Sequence, residues 1–446
     1  MAYITRTTGT ATDRKKFTYS AWLKLANIEV YQRPIQNYVD GNNRGYILYH
    51  HNTDANPNTW FFYDRISSQI NFQATSVAKY RDTNGFYHLV VRADTTQSTQ
   101  ADRYRVYINN EQIDLNISVN IGQNVDLGFN SSSANLRIGG TESGSEPWKG
   151  IMSHVHFCDG QSYAPTEFGE YDANGVWKIK TSPSVTYGNN GYWVFKDDAS
   201  VTDRSGNGNN FTLSGSITKT EDNPSNVFAT WNALDNYYPA MTLSYGNTKA
   251  LTTAGRYTYI PSTLGMTSGK YYAEIKCTAQ SSSQEEYLIG ITSTSTTATT
   301  HEVGHYGNNY GYRGLNGNYR SSDVDGSYGS TYTTGDIIGI AVDLDNNKLY
   351  FSKNGTWQNS GDPTSGATGT GAISITDVAS TLLGGYFFAV CYFSSTNTGT
   401  YDANFGNGYF GTTAVASAGT NASGNGIFEY DVPTGYTALS TKGLNL

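Results

Sequence analysis

Apolar and polar residues alternate with a period of two through Gly335–Gly355, GDIIGIAVDLDNNKLYFSKNG. Ile338, Ile340, Val342 and Leu344 fall on one face of a predicted strand. Asn346-Asn347 is predicted to supply the two φ > 0 residues of a tight primed turn. Leu349 and Phe351 return on the next strand, and Asn354-Gly355 marks a further turn. The same period runs through Phe17–Leu25, where Phe17, Tyr19, Ala21 and Leu23 alternate with Thr18, Ser20, Trp22 and Lys24. Further strand-like runs are Tyr46–His51, Thr59–Asp64, Ile70–Gln73, Tyr87–Asp94, Tyr104–Ile113 with a hairpin turn at Asn109-Asn110, Leu136–Gly140, Lys149–Gly160 and Gly191–Asp198. In the second half they are Ser268–Cys277, Tyr287–Ser293 and Tyr386–Gly406. Short β-branched and aromatic runs between Gly, Asn, Asp and Ser clusters predict an all-β chain with marginal helix. The expected architecture is two β-sandwich domains of jelly-roll type, residues 1–213 and 241–446, joined by a short linker over 214–240. The linker is placed by Glu221–Pro239, which lacks periodicity and carries Pro224 and Pro239.

Composition narrows the function classes. The 446 residues carry a net charge of −8, which argues against nonspecific nucleic-acid binding. The basic run Arg14-Lys15-Lys16 reads as a solvated loop. The longest apolar stretch, Leu382–Phe393, is broken by Gly384-Gly385 and too short to span a bilayer, so it reads as a buried strand and no membrane insertion is expected. The first residues lack the apolar core of a secretory signal. Cys158, Cys277 and Cys391 are odd in number and far apart, hence expected to be free and buried in a protein made in a reducing compartment.

Few constellations point to chemistry. His301-Glu-Val-Gly-His305 has the zinc-protease spacing, but β-branched and Gly residues on both sides deny it the helix that would put both imidazoles on one face. Asp203, Asn207 and Asn209 offer oxygens at alternate positions of a Gly-rich loop, a pattern that calcium favours, against a simpler reading as an Asx turn. No other cofactor is called for. Asp343-Leu-Asp345 starts like a calcium loop, but Lys348 stands where Gly is required. Glu285 and Glu286 are adjacent and so lie on opposite strand faces, which does not suit glycan cleavage. Recognition is better represented. In His305–Arg320, Tyr306, Asn308, Asn309, Tyr310, Arg313, Tyr319 and Arg320 form a Tyr/Asn/Gly/Arg-rich stretch of the composition binding loops use, although YGYRG also reads as a core strand. His50–Trp60 is a second candidate, with Asp54 and Trp60 as contacts and an inward-packing Trp60 as the alternative.

Three resemblances sharpen this. Ser20-Ala-Trp22, Tyr87–Val91, Arg105–Asn109, Ile138-Gly-Gly140 and Gly150–Val155 resemble, in order, a laminin-G-like (concanavalin-type) jelly roll. Tyr271–Lys276, Ile289-Gly290, the Gly335–Gly355 hairpin and Asn404-Phe-Gly406 resemble a SPRY domain, a bent sandwich that recognises partners through loops. The pairing, together with Thr5-Arg6-Thr7, Arg14-Lys15, Trp177–Pro183, Asp222-Asn-Pro-Ser-Asn226 and Leu234-Asp-Asn236, resembles virion proteins of marine tailed phages. That resemblance implies a non-enzymatic virion protein, made in the host cytoplasm, in a tail fibre, tail or capsid appendage. Its implied partners are a host cell-surface glycan or protein, other virion proteins and copies of itself in a homo-oligomer. A purely structural decoration or connector protein and a polysaccharide depolymerase are the alternatives. No heptad, collagen or triple-β-helix repeat is present to form a stalk.

Overall fold

The computed structural model describes residues 2–196, 198–236, 241–280, 286–294, 302–394 and 396–445. They form strands and short 3-10 turns, with no α-helix among the described residues. The chain divides into two compact units, Met1–Lys219 and Thr220–Leu446.

The first unit is a sandwich of two antiparallel sheets. The eight-stranded sheet runs in the order Leu115–Val119, Gln69–Ser76, Trp60–Ile66, Asn43–Tyr49, Gln32–Asp40, Asn135–Ile138, Tyr3–Thr7, Thr212–Ser214. The six-stranded sheet runs Tyr192–Val194, Gly150–Asp159, Lys16–Leu25, Tyr87–Asp94, Tyr104–Ile108, Glu111–Gln112. The alternation read in Phe17–Leu25 orients that strand: Phe17, Tyr19, Ala21 and Leu23 enter the core with Ile35, Ile47, Trp60 and Phe62 from the facing sheet. Phe17 stacks on Phe129 at 4.8 Å and on Phe157 at 5.7 Å. The polar set is buried as well, with Thr18, Ser20, Trp22 and Lys24 all under 5% exposed, because residues 161–195 cover the sheet's other face. Thr18 Oγ1 donates to Gln161 O and accepts from Tyr163 N, and the Trp177 ring reaches His88. Asp64 points inward and accepts from Gly128 N, Phe129 N and Asn71 Nδ2, fixing the turn that closes the core; burial pushes its carboxyl up to about 6.

The second unit repeats the two-sheet plan. Its larger sheet is built on Thr400–Asn404, Lys270–Ala279, Ile337–Asp343 and Lys348–Lys353. Its six-stranded sheet runs Arg256–Pro261, Phe387–Ser394, Glu286–Thr292, Tyr310–Arg313, Asn318–Ser321, Val324–Ser327. Ile338, Ile340, Val342, Leu344, Leu349 and Phe351 all lie in its core, as their alternation predicts. The two turns of that hairpin differ. Asn354 and Gly355 both have φ > 0 (49° and 79°) and make the two-residue primed turn. Asn347 (φ 55°) is left-handed but Asn346 is not, so the first connection is a longer loop between Asp343 and Lys348. Asp343 holds that loop by accepting from Asn346 N, an N–H donor where a calcium loop would need metal. The apolar stretch Leu382–Phe393 is not a single buried strand: the strand begins at Phe387, and Leu382 and Leu383 lie on an exposed loop, 73% and 47% accessible.

Part of the expected linker is packed. Phe228 and Trp231 are buried in the second unit, Phe228 bridges Ser440, and Ala229 N donates to Leu439 O. The tail is further tied down by Glu274, which accepts from Glu429 N, Tyr430 N, Tyr272 Oη and Asn404 Nδ2; its burial pushes the carboxyl up to about 7.

Candidate functional site

The Tyr- and Arg-rich stretch of the second unit is mostly structural. Tyr310 lies in a strand against Ile291, is 6% exposed, accepts from Thr376 N at 2.9 Å and shares a hydrogen bond with Thr376 Oγ1. Asn309, also buried, ties the loop to Thr292 Oγ1 and Ser293 N. Arg313 is 8% exposed and its guanidinium is held by Asp325 at 2.6 Å. Arg320 donates to Glu302, Asp323 and Asp325 at 2.6, 3.0 and 3.0 Å, so all its reach is internal. Tyr319 is half-buried against the core. The expectation of exposed aromatic and arginine anchors here is therefore corrected for Asn309, Tyr310, Arg313 and Arg320: the six-stranded sheet needs them for its own packing and charge balance. Tyr306, 45% exposed, and the half-buried Asn308 remain at the surface. In the HExxH stretch, His301 lies outside the described residues, Glu302 is taken by Arg320, and His305 faces Asp323 at 2.8 Å. Glu285 likewise lies outside them.

The oxygen-rich loop of the first unit is also internally satisfied. Asp203 Oδ1 accepts from Trp193 N and Ser205 N, and Oδ2 from Ser205 Oγ and Asn209 N. Asn207 and Asn209 turn their amide nitrogens inward, donating to Gly188 O, Gly191 O and Asn189 O, and Asn209 Oδ1 accepts from Arg6. The residues therefore do not converge their oxygens on a common point. Ser205 N on Asp203 Oδ1 is the Asx-turn arrangement. Among the described residues no cluster of three or more His, Cys, Asp and Glu side chains has metal-binding geometry. Trp60 is fully buried between Tyr49 and Trp148, so it is a core residue and not a contact. Asp54 is half-buried; the backbone N–H of Asn56 and then the Tyr31 hydroxyl hold its carboxyl below the usual range.

Asp54 sits at one end of a feature that local sequence signals did not reveal. On the outward face of the eight-stranded sheet, strands Asn43–Tyr49 and Trp60–Ile66 pair Arg44 with Arg65, Tyr46 with Tyr63 and Leu48 with Phe61. Gln36 and Tyr38 of Gln32–Asp40 lie opposite Tyr46 and Arg44. The rings of Tyr46 and Tyr63 stack at 5.0 Å, Phe61 stands 6.1 Å from each, and His50 is 5.4 Å from Phe61. Tyr31 continues the row, 6.0 Å from His50 and 4.3 Å from His51. The Arg33 guanidinium lies 3.9 Å above the Tyr46 ring and is neutralised by Glu146 and held by Gln36. Standing rings locked by cation–π and aromatic contacts form a rigid ridge. Burial raises the Tyr46 phenol, so it stays a neutral donor and acceptor. The hydroxyls of Tyr38, Tyr46 and Tyr63 have no hydrogen-bond partner among the described residues, nor does the Arg44 guanidinium. In the second unit, by contrast, the hydroxyls of Tyr272, Tyr287, Tyr310, Tyr312, Tyr332, Tyr386, Tyr401 and Tyr436 are all bonded internally. Tyr46 and Phe61 are half-buried and Tyr63 is only 7% exposed, so it is the hydroxyl tips and the Tyr46 and Phe61 edges of this rigid row that can meet sugar hydroxyls with little loss of side-chain freedom. The signal available in sequence was Arg44, Tyr46, Leu48 and His50 alternating with inward Ile47 and Tyr49. It marks an outward face that is aromatic where a plain surface would be polar, although of the four only Arg44 and Tyr46 are half-exposed and Leu48 and His50 are buried.

Comparison with known proteins follows the same division. Residues 2–162 match the family described as the concanavalin A-like lectin/glucanases superfamily, and residues 270–406 match the SPRY domain. Over 47 residues, 10% of this chain, it is 51% identical to a Ran-binding proteins 9/10 homolog of Drosophila melanogaster, and the match spans only 5% of that protein. Among solved structures, it is similar to the SPRY domain of human HERC1, at 17% identity over 36% of this chain and 91% of that one, TM-score 0.28. It is also similar to a heptameric SAP-like pentraxin from Limulus polyphemus, at 14% identity over 36% of this chain and 71% of that one, TM-score 0.27. The two β-sandwiches thus match two different family models, the concanavalin A-like one in the first unit and the SPRY one in the second.

Proposed function

We propose that this chain is a non-enzymatic attachment protein of a phage particle and binds a host surface glycan through the outward face of its first unit. The observation that carries the binding is the rigid row of Tyr46, Tyr63 and Phe61, bordered by Tyr38 and Gln36, with phenol hydroxyls that no internal group uses. Such a face offers stacking edges and paired donor–acceptor tips to a sugar, and the carboxylates that border it, Glu146 and Asp54, are engaged by Arg33 and by Tyr31 and Asn56 N. The virion setting, tail or capsid appendage, rests on the resemblance carried by Asp222–Asn226, Leu234–Asn236 and the order of the two domains. On a particle the protein would sit on a cyclic axis as a homo-oligomer beside other virion proteins.

The test is incubation of the full chain with envelope polysaccharide of the host. Retention without release of oligosaccharide is expected. Tyr46→Ala should weaken retention by about tenfold, the range of an interface anchor. Released oligosaccharide would make the protein a depolymerase. Neither retention nor release, with the chain present in a mass-spectrometric inventory of the particle, would leave the decoration or connector role.

A further inference from the structure

Arg44 and Arg65 lie directly opposite each other on neighbouring antiparallel strands, on the solvent face, one step along from the Tyr46–Tyr63 pair. Like charges in that relation oppose strand pairing. Nothing within the described chain relieves it. The Arg44 guanidinium stands 5.6 Å from the Tyr63 ring centre and within electrostatic reach of the Tyr46 phenol, and among the described residues it pairs with no carboxylate. Arg65 donates to Gly41 O and Ser68 O, which are turn carbonyls and not counter-charges. The Nε–H of each is shielded from solvent and without an acceptor. Arg33 on the same face shows the contrasting case, with Glu146 as its partner. Two arginines without a carboxylate, flanked by the free phenol tips of Tyr38 and Tyr46 and set on a chain of net charge −8, form a local cation site on an acidic molecule.

We propose that this arginine pair takes the oxyanion of an acidic sugar residue, a carboxylate or a sulfate, while the tyrosine row takes the sugar's hydroxyls. The proposal rests on the glycan-binding reading and specifies its ligand. A guanidinium presents a planar fork of N–H donors that suits either anion. An oxyanion between the two arginines turns their mutual repulsion into two attractive pairs, so the bound state gains what the free protein lacks. The overall negative charge disfavours extended polyanions held by field alone, so the anion must be read together with its sugar.

The experiment measures binding of the full chain to polygalacturonate, dextran sulfate, uncharged dextran and single-stranded DNA at low and physiological salt. Binding to polygalacturonate or to dextran sulfate is expected, well above dextran and DNA, and which of the two is held identifies the anion as carboxylate or sulfate. Arg44→Gln should weaken the acidic ligand by about tenfold or more, as loss of a charge-assisted hydrogen bond does, and should leave the melting temperature unchanged or higher, since it removes a like-charge opposition. Arg44→Lys keeps the charge and the fold but loses the fork, and should fall between the two. Dextran bound as well as the acidic polymers, or full acidic binding by both Arg44 variants, would overturn the arginine assignment and leave glycan binding standing. DNA bound as tightly as the sugars would overturn it too. Binding to no polysaccharide would instead remove the glycan reading itself.

Discussion

At the scale of single residues, this protein separates polar groups that hold the fold from those that face outward unpartnered. His88 belongs to the first kind. It is fully buried, stacked on Trp22 at 4.5 Å, and its Nδ1 accepts from Trp177 Nε1 at 3.1 Å. Nε2 must then carry the single proton and donate to Ser20 Oγ at 2.8 Å. Burial pushes this imidazole down to about 3 from 6.5. The unfolded chain therefore binds a proton that the folded one refuses between those two values, and stability falls as pH drops through that window. Imidazole nitrogen shifts recorded by NMR should report His88 as the neutral Nε2–H tautomer down to pH of about 4. A charged His88 at pH 5 would refute this. None of it was legible beforehand, because a lone His in YHLVV carries no sign of which strand and which covering loop will enclose it.

At the scale of elements, most of what formed was written in period two and in turn chemistry. The Ile338–Val342 face, the Phe17–Leu23 face and the Asn109-Asn110 and Asn354-Gly355 turns follow directly from residue type. Gly355 is required twice over. Its φ is +79°, and a Cβ there would meet Tyr430 Cδ1 at 2.6 Å. Gly355→Ala should cost about 1 to 3 kcal/mol, from left-handed strain plus a clash with the Tyr430 ring. A lowered urea midpoint with an unchanged slope would show it, and an unchanged midpoint would contradict the turn assignment. Asn346-Asn347 misled because an Asn pair is compatible with several loop lengths, and here Asp343 and Asp345 organise a wider loop through Asn346 N and Gly269 N. Tyr310 and Arg313 misled for a related reason: Tyr, Asn, Gly and Arg suit both a binding loop and a buried strand whose polar tips find internal partners.

At the scale of the whole molecule, two separately cored units share one chain. The exposed stretch around Ser216 and Lys219 lies at their division, while Asp222–Trp231 is already engaged in the second unit. Trypsin at low ratio should therefore cut first after Lys219 and yield two fragments that each keep a cooperative melt. First cleavage at Arg256 or Lys276, or loss of both melts together, would contradict that organisation. The sequence by itself determined the all-β class and the inward faces of its best-patterned strands, since alternation and turn residues are local properties, and its family resemblances carried the two-sandwich plan, whereas the order of strands within each sheet was left to tertiary pairing. Tertiary structure alone decided which outward faces stay outward. Thr18–Lys24 is covered by a later segment. The face of Arg44 and Tyr46 keeps its phenol tips and one guanidinium free of internal hydrogen-bond partners, while His50 beside it is buried against Thr59. That choice depends on side chains brought together across strands far apart in sequence, and on whether each polar tip meets a partner within the fold or is left for a ligand.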